Sequence, residues 1–346
     1  RSTANEVFQE INRRHVKIKK TQRKNNCLIL ISVLEELLKI MRCNDKLFQS
    51  MKPKMEILGS YFDGLQNGYT SIVMPSEFRR LSKIPATAVK GFKETELWCD
   101  SVYRLSVTRF RSWMQGVVDT ALNTLPKEQG KRVINVGNKH FKLDYKTSGP
   151  ANTITIYLDN KNLIDVDLVP TIQFKLPKAP VHCKIDFEKV ADTKLDRYFA
   201  VPKPTDNDYS WRLAFPYQER YYINYRNNLK STIKLLKLLR DIQGFNKLAS
   251  YFIKTVFLWE VLEQDDTFWT KNSLSFLVLY MLQKLTNCLA AECIKNFWCP
   301  EHNLLEKLKS STCQNWANRL RNICKDIERN KCKHPYAIVK YFTRND

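Results

Sequence analysis

Neither proline nor glycine occurs before Pro53, so nothing in residues 5–50 obliges the backbone to turn. Within that span "CLILISVLEELLKIM" is apolar enough to face a core. The spacing predicts one long helix, or two in succession, acting as a spine for whatever packs on it. Upstream, "RRHVKIKKTQRK" (13–24) holds seven Lys and Arg and no acid. Arg13, Lys17, Lys20 and Lys24 fall at i, i+4, i+7 and i+11, which on a continuous helix makes a single cationic stripe.

From about 55 to 215 the texture changes. "RVINVGNKHFKLDY", "ANTITIYL", "LIDVDLVPTIQFKL" and "WRLAF" are rich in Val, Ile, Thr and aromatics and are bounded by Gly, Pro and Asn, the signature of strands. "DSVYRLSVTRFRSWMQGVVDTALNTL" (100–125) has helical spacing and stops before Pro126, so the middle of the chain is mixed rather than a sandwich. After Tyr221 apolar and charged residues alternate with a period near 3.6, as in "LKSTIKLLKLLRDI" and "CQNWANRLRNICKDIERN". The fold class expected is therefore α+β. Residues 1–220 would hold the spine helix and a mixed β-sheet lobe, and residues 221–346 a C-terminal helical lobe. With no low-complexity linker between them, the lobes should pack closely around a cleft.

A chain of 346 residues with 43% hydrophobic and 12% aromatic residues can bury a sizeable core. Its formal charge of +22 exceeds what solubility requires and favours a polyanionic partner. No stretch approaches the roughly 18–20 apolar residues of a membrane span, so no membrane partner is expected and the chain is placed in the cytoplasm. The ten cysteines are scattered rather than clustered as in a disulfide scaffold, and are expected to be reduced.

Two short stretches carry chemistry. "LGSYFDGL" (58–65) has Gly59 and Ser60 where a strand or loop turns, so backbone N–H groups and a hydroxyl could meet a phosphate; the same pair also occurs in ordinary turns. "NLIDVDLVPTIQF" (162–174) alternates Asp165 and Asp167 with Val166 and Leu168, which puts both carboxylates on one face of a strand. Side by side they are either solvated or ligands of a hard cation such as Mg²⁺.

"GSYFDGL", "IDVDLVP", "WRLAF" and "LASYFIKTVFLWE" come in the order found in one family, and over nearly its whole length the chain resembles cyclic GMP-AMP synthase and the related receptors of animals. The resemblance implies a bilobal nucleotidyltransferase fold that joins ATP and GTP into a cyclic dinucleotide messenger of innate immunity once a double-stranded nucleic acid binds the spine side. Residue by residue, it implies that Gly59 and Ser60 hold phosphate and that Asp167 completes a Mg²⁺ or Mn²⁺ site, with Asp165 the less favoured ligand. Arg212, Lys237, Ser250 and Tyr251 would contact nucleotides, Tyr251 by stacking on a base. Arg13, Lys17, Lys20 and Lys24 would track duplex phosphates, a salt-sensitive contact that carries little sequence information. Assembly of an oligomer on the RNA is left open.

Two departures qualify that picture. Cyclic GMP-AMP synthase has a His- and Cys-bearing zinc insertion after its counterpart of "WRLAF". Here only "PYQERYYINY" intervenes, so no zinc is expected and the partner shifts towards double-stranded RNA. Cys299 with His302, and Cys332 with His334, lack a second spaced pair and read as ordinary helix-end residues. The second departure is chemical: the family's Glu-x-Asp strand after Gly-Ser is missing. Glu77 does not replace it, because "SEFRR" puts Arg79 where the Asp should stand. Either this is a catalytically inactive relative kept for binding, or a segment between Gln66 and Asn67 is absent from the sequence. Omission is favoured, since losing a central strand would leave a hole in the core; bonded neighbours there would have Cα atoms about 3.8 Å apart.

Overall fold

The structure, a computed structural model, describes residues 3–16, 20–51, 53–59, 68–74, 97–101, 104–148, 151–159, 162–175, 195–202, 207–224 and 226–343. Ser60, Lys17 and the Gln66–Asn67 junction lie outside them. The chain divides into two compact units, one within residues 1–18 and 218–346 and the other within 19–178 and 192–217.

The second unit is a helix-on-sheet layer. Its strands are β1 (Lys54–Gly59), β2 (Gly68–Met74), β3 (Lys127–Glu128), β4 (Lys131–Val136), β5 (Lys139–Ser148), β6 (Ala151–Tyr157), β7 (Leu163–Lys175), β8 (Arg197–Val201) and β9 (Arg212–Ala214). They form one sheet in the order β1-β2-β7-β6-β5-β4-β3, with β8 pairing both β7 and β9. β7 is the hub: it runs parallel to β2, and antiparallel to β6 through Leu163–Leu168 and to β8 through Ile172–Lys175. Pro170 sits in the interval where pairing passes from β6 to β8, the place in a central strand that best tolerates a missing N–H.

Period-2 alternation gives this sheet one apolar face. Val166 and Leu168 are 1% and 2% exposed and join Ile134, Leu143, Ile154, Ile156 and Ile172 in a single cluster. Two helices lie on it. From α2 (Lys20–Asn44) come Leu30, Val33, Leu34, Leu37, Leu38 and Met41; from α4 (Val107–Asn123) come Phe110, Met114, Val117, Val118, Ala121 and Leu122. Both stripes repeat at three and four residues, the helical spacing that packs on a flat sheet. Ser106 caps α4 through the Arg109 amide at 3.0 Å, and Asp208 accepts from the Thr108 amide at 2.8 Å. Trp211, whose indole N–H donates to the Leu105 carbonyl at 3.0 Å, ties the start of β9 to the same helix end.

Of the two forms expected for the spine, the structure shows the second, helices in succession. α1 (Ala4–Ile11), a π-helical turn (Asn12–Val16), α2 and α3 (Lys46–Ser50) follow one another, and Asp45 starts α3 by accepting from the Phe48 amide at 2.7 Å. The first turns group with the helical unit rather than with the sheet. The reason is apolar: Val7, Phe8 and Ile11 are buried, and Phe8 meets Phe342 edge to face with centroids 5.5 Å apart. Asn12 donates to the Ser231 hydroxyl at 3.1 Å. The rest of that unit is helical: α5 (Pro216–Ile223), α6 (Asn227–Ile242), α7 (Ser250–Glu263), α8 (Asp266–Lys271), α9 (Leu274–Ala290), α10 (Ser310–Asn330) and a 3₁₀ turn at Pro335–Tyr341. Among the described residues no helix is long and apolar enough to cross a membrane.

Phe8→Ala should remove about 3–5 kcal/mol from the helical unit, measured by chemical denaturation. An unchanged midpoint would show that α1 is not part of its core.

Candidate functional site

The face of the sheet away from α2 and α4 carries polar side chains along β5, β6 and the first half of β7, and register dictates which. Since Val166 and Leu168 point into the core, Asp165 and Asp167 point the other way. Opposite them on β6 stand Thr155 and Thr153. The Thr153 hydroxyl donates to Asp167 Oδ1 at 2.6 Å, and the Thr155 hydroxyl donates to Asp165 Oδ1. One row further, β5 brings Asp144 opposite Thr155. Asp144 accepts from the Tyr157 hydroxyl at 2.6 Å and meets Lys131 Nζ at 3.4 Å; Lys131 also lies 3.2 Å from the centre of the Tyr157 ring.

Arg212 reaches the same face by alternation. Trp211 packs against the core cluster, its ring centroid 5.3 Å from that of Phe110, so Arg212 is turned to the opposite side and is exposed. It pairs with Val201, which clusters with Val169 and Ala214 on the side of the sheet that Asp167 occupies. Two carboxylates and a guanidinium thus lie on the same side of the sheet, with buried Val169 and Val201 between Asp167 and Arg212; carboxylate and guanidinium are the group types that bind a hard cation and a triphosphate.

The carboxylates have the donor chemistry of such an ion's ligands. Asp165 and Asp167 are hard oxygen donors, and a Mg²⁺ or Mn²⁺ held by one or two carboxylates takes its other positions from water and phosphate. Among the described residues no three His, Cys, Asp or Glu side chains converge as a metal site. β2, the strand beside Asp167, reads "GYTSIVM" without an acid and sets Tyr69 in register with Asp167. A pair of ions needs carboxylates that the described residues do not supply.

The other sequence-predicted residues are distributed as follows. Gly59 ends β1, paired with Gly68. Lys237 lies on α6 and is 8% exposed. Ser250 opens α7, where its hydroxyl accepts from Arg240 Nη1 at 2.6 Å. Tyr251 follows, its hydroxyl 3.3 Å from Glu219 Oε1. Buried Glu219 also accepts from the Trp298 indole N–H at 2.9 Å and pairs with Lys254 at 2.8 Å. Arg13 is exposed in the π-helical turn, and Lys20 and Lys24 lie in the first turns of α2. A cleft of about 500 Å³ opens beside those turns, lined by Gln22, Asn25 and Asn26 together with Lys139, His140 and Asp159. The sequence reading missed Thr153, Thr155 and Glu219. The first two had a partial signal, because Thr153 and Thr155 flank Ile154 as Asp165 and Asp167 flank Val166, which fixes a shared face on each strand but not which strands pair.

Comparison with known proteins assigns the two parts of the chain. Residues 50–224 match the Mab-21 protein nucleotidyltransferase domain, and residues 228–322 the Mab-21 protein HhH/H2TH-like domain. A cyclic GMP-AMP synthase-like receptor of Aethina tumida is 30% identical over 97% of this chain and 90% of its own. One of Tribolium castaneum is 31% identical over 97% and 90%, and one of Trichogramma pretiosum 27% identical over 98% and 76%. The match to the Aethina protein extends over 370 positions, more than the 346 residues of this chain. That relative therefore carries residues inside the matched span that have no counterpart here.

The bond from Tyr157 gives this face a titration signature. Together with Lys131 it holds the Asp144 carboxyl below its ordinary value of 3.8. A depressed carboxyl stabilises the fold above the unfolded value, and that contribution is lost as pH falls through the folded one. Tyr157→Phe should therefore raise the Asp144 value towards 3.8, followed by carbon NMR of the carboxyl, and should soften the loss of stability below that pH. An unmoved resonance would remove Tyr157 as the cause.

Proposed function

Because this chain belongs to the Mab-21 nucleotidyltransferase family and to its branch of cyclic GMP-AMP synthase-like receptors, we propose that it is a cytoplasmic sensor of innate immunity. Double-stranded RNA would switch it on to join ATP and GTP into a cyclic dinucleotide. The observation that carries this reading is the register that puts Asp165, Asp167 and Arg212 on the same side of the sheet. Asp167 is proposed as the principal cation ligand and Asp165 as its neighbour, while Arg212 neutralises phosphate. A bound Mg²⁺ or Mn²⁺ would supply charge to the triphosphate and polarise the attacking hydroxyl. Gly59 with Ser60 is assigned to phosphate, and Lys237, Ser250 and Tyr251 to nucleotide contacts. Arg13, Lys17, Lys20 and Lys24 are assigned to RNA phosphates.

A second reading is favoured by one observation: the acid-free β2 beside Asp167 leaves the described carboxylates short of a two-ion site. On that reading the fold binds nucleic acid and nucleotide without turnover. It and the first reading agree on RNA binding and differ on product.

Incubation with labelled ATP and GTP, Mg²⁺ or Mn²⁺, and duplex RNA or DNA separates them. The first reading predicts an RNA-dependent cyclic product that Asp167→Asn abolishes while RNA affinity stays unchanged. RNA binding with no product under any condition establishes the second. Reversing the charge of Arg13, Lys17, Lys20 and Lys24 should weaken RNA binding and reduce the slope of log affinity against log salt by roughly one for each phosphate no longer neutralised. An unaltered slope removes these residues from the interface.

A further inference from the structure

We propose that Thr153 is a positioning residue for Asp167, an inference that rests on the reading of Asp167 as the cation- and phosphate-facing carboxylate. The two residues are direct cross-strand partners on β6 and β7. The Thr153 hydroxyl donates to Oδ1 at 2.6 Å, and Thr153 is 8% exposed, so water competes little for that bond. A threonine in a strand has few χ1 choices, because two heavy atoms branch from Cβ. The backbone pairing therefore fixes the hydroxyl, and the hydroxyl fixes the carboxylate.

What this does to Asp167 follows from its two oxygens. A free carboxylate on a strand swings about χ2 and can present either oxygen or both to a ligand. With Oδ1 engaged by Thr153, Oδ2 is the oxygen with its lone pairs uncommitted, and its direction is set before any ligand arrives. Thr153 thus makes Asp167 a preformed one-oxygen ligand, as groups behind a metal ligand commonly do. Thr155 holds Asp165 in the same way one step along the strands. Thr155 is only half-buried and Asp165 is exposed, so water can replace the hydroxyl there, and the same substitution should cost less.

The test compares Thr153→Val, which keeps the shape and loses the hydroxyl, with Thr153→Ser, which keeps the hydroxyl, and uses Thr155→Val as the neighbouring control. The probe is Mn²⁺ with a non-hydrolysable ATP analogue, its affinity read by electron paramagnetic resonance on the full chain. Circular dichroism melting confirms that each variant is folded. Loss of a group behind a metal ligand typically costs roughly 10- to 100-fold in metal affinity, so Thr153→Val should weaken Mn²⁺ binding by that factor, Thr153→Ser should restore it, and Thr155→Val should fall between. If Asp167→Asn loses Mn²⁺ affinity while Thr153→Val keeps the wild-type value, the positioning role is wrong and the site assignment stands. If Asp167→Asn itself binds Mn²⁺ as wild type does, the site assignment fails and the positioning role fails with it. A Thr153→Ser variant as weak as Thr153→Val also overturns the proposal, since the hydroxyl would then not be the cause.

Discussion

Strand β7 is the constraint on which the sheet unit depends. Its alternation commits Val166 and Leu168 to the cluster under α2 and α4, and the same alternation leaves Asp165 and Asp167 on the opposite side. A slip of one residue in the β6–β7 register would bury two carboxylates in that cluster and expose the aliphatic pair. The apolar side therefore holds the polar side in register, and the position of the candidate site is a by-product of core packing. β2, β6 and β8 all take their register from this strand, so Thr153 and, through β8 and β9, Arg212 are placed by it as well.

How much of this was legible in the sequence differs from element to element. The α+β class, the strands of "ANTITIYL" and "LIDVDLVPTIQF" and the shared face of Asp165 and Asp167 follow from periodicity alone. Arg212 could be put on a short strand from "WRLAF", but its side of the sheet depends on Trp211 packing against Phe110, a contact between residues about a hundred positions apart. The Thr153–Asp167 bond was hidden for the same reason: pairing partners are a property of the sheet, and one-dimensional patterning fixes faces without fixing neighbours. The spine was legible only as one helix or two in succession. Absence of Pro and Gly could not choose between them; the structure has helices in succession with a π-helical turn after the first, and Phe8 carries the first turns into the helical core.

The carboxylate count remains the chemical crux, and fold and chemistry bear on it differently. Family membership accounts for the sheet, the helical unit and the order of the motifs. Synthesis, by contrast, depends on individual oxygen atoms. On the proposed reading Asp165 and Asp167 would serve one ion, and the strand alongside, β2, contributes none of the acids that a two-ion reaction requires. The Gln66–Asn67 junction at which a missing segment was expected lies outside the described residues.

The central claim is that the open face of β7 is where a cation and a triphosphate meet. Anomalous diffraction from crystals grown with Mn²⁺ and a non-hydrolysable ATP analogue tests it most directly. The account predicts a Mn²⁺ peak against the Asp167 carboxylate with the phosphates extending towards Arg212. A nucleotide-bound Mn²⁺ seated elsewhere, with the Asp165–Asp167 face bare, would contradict it.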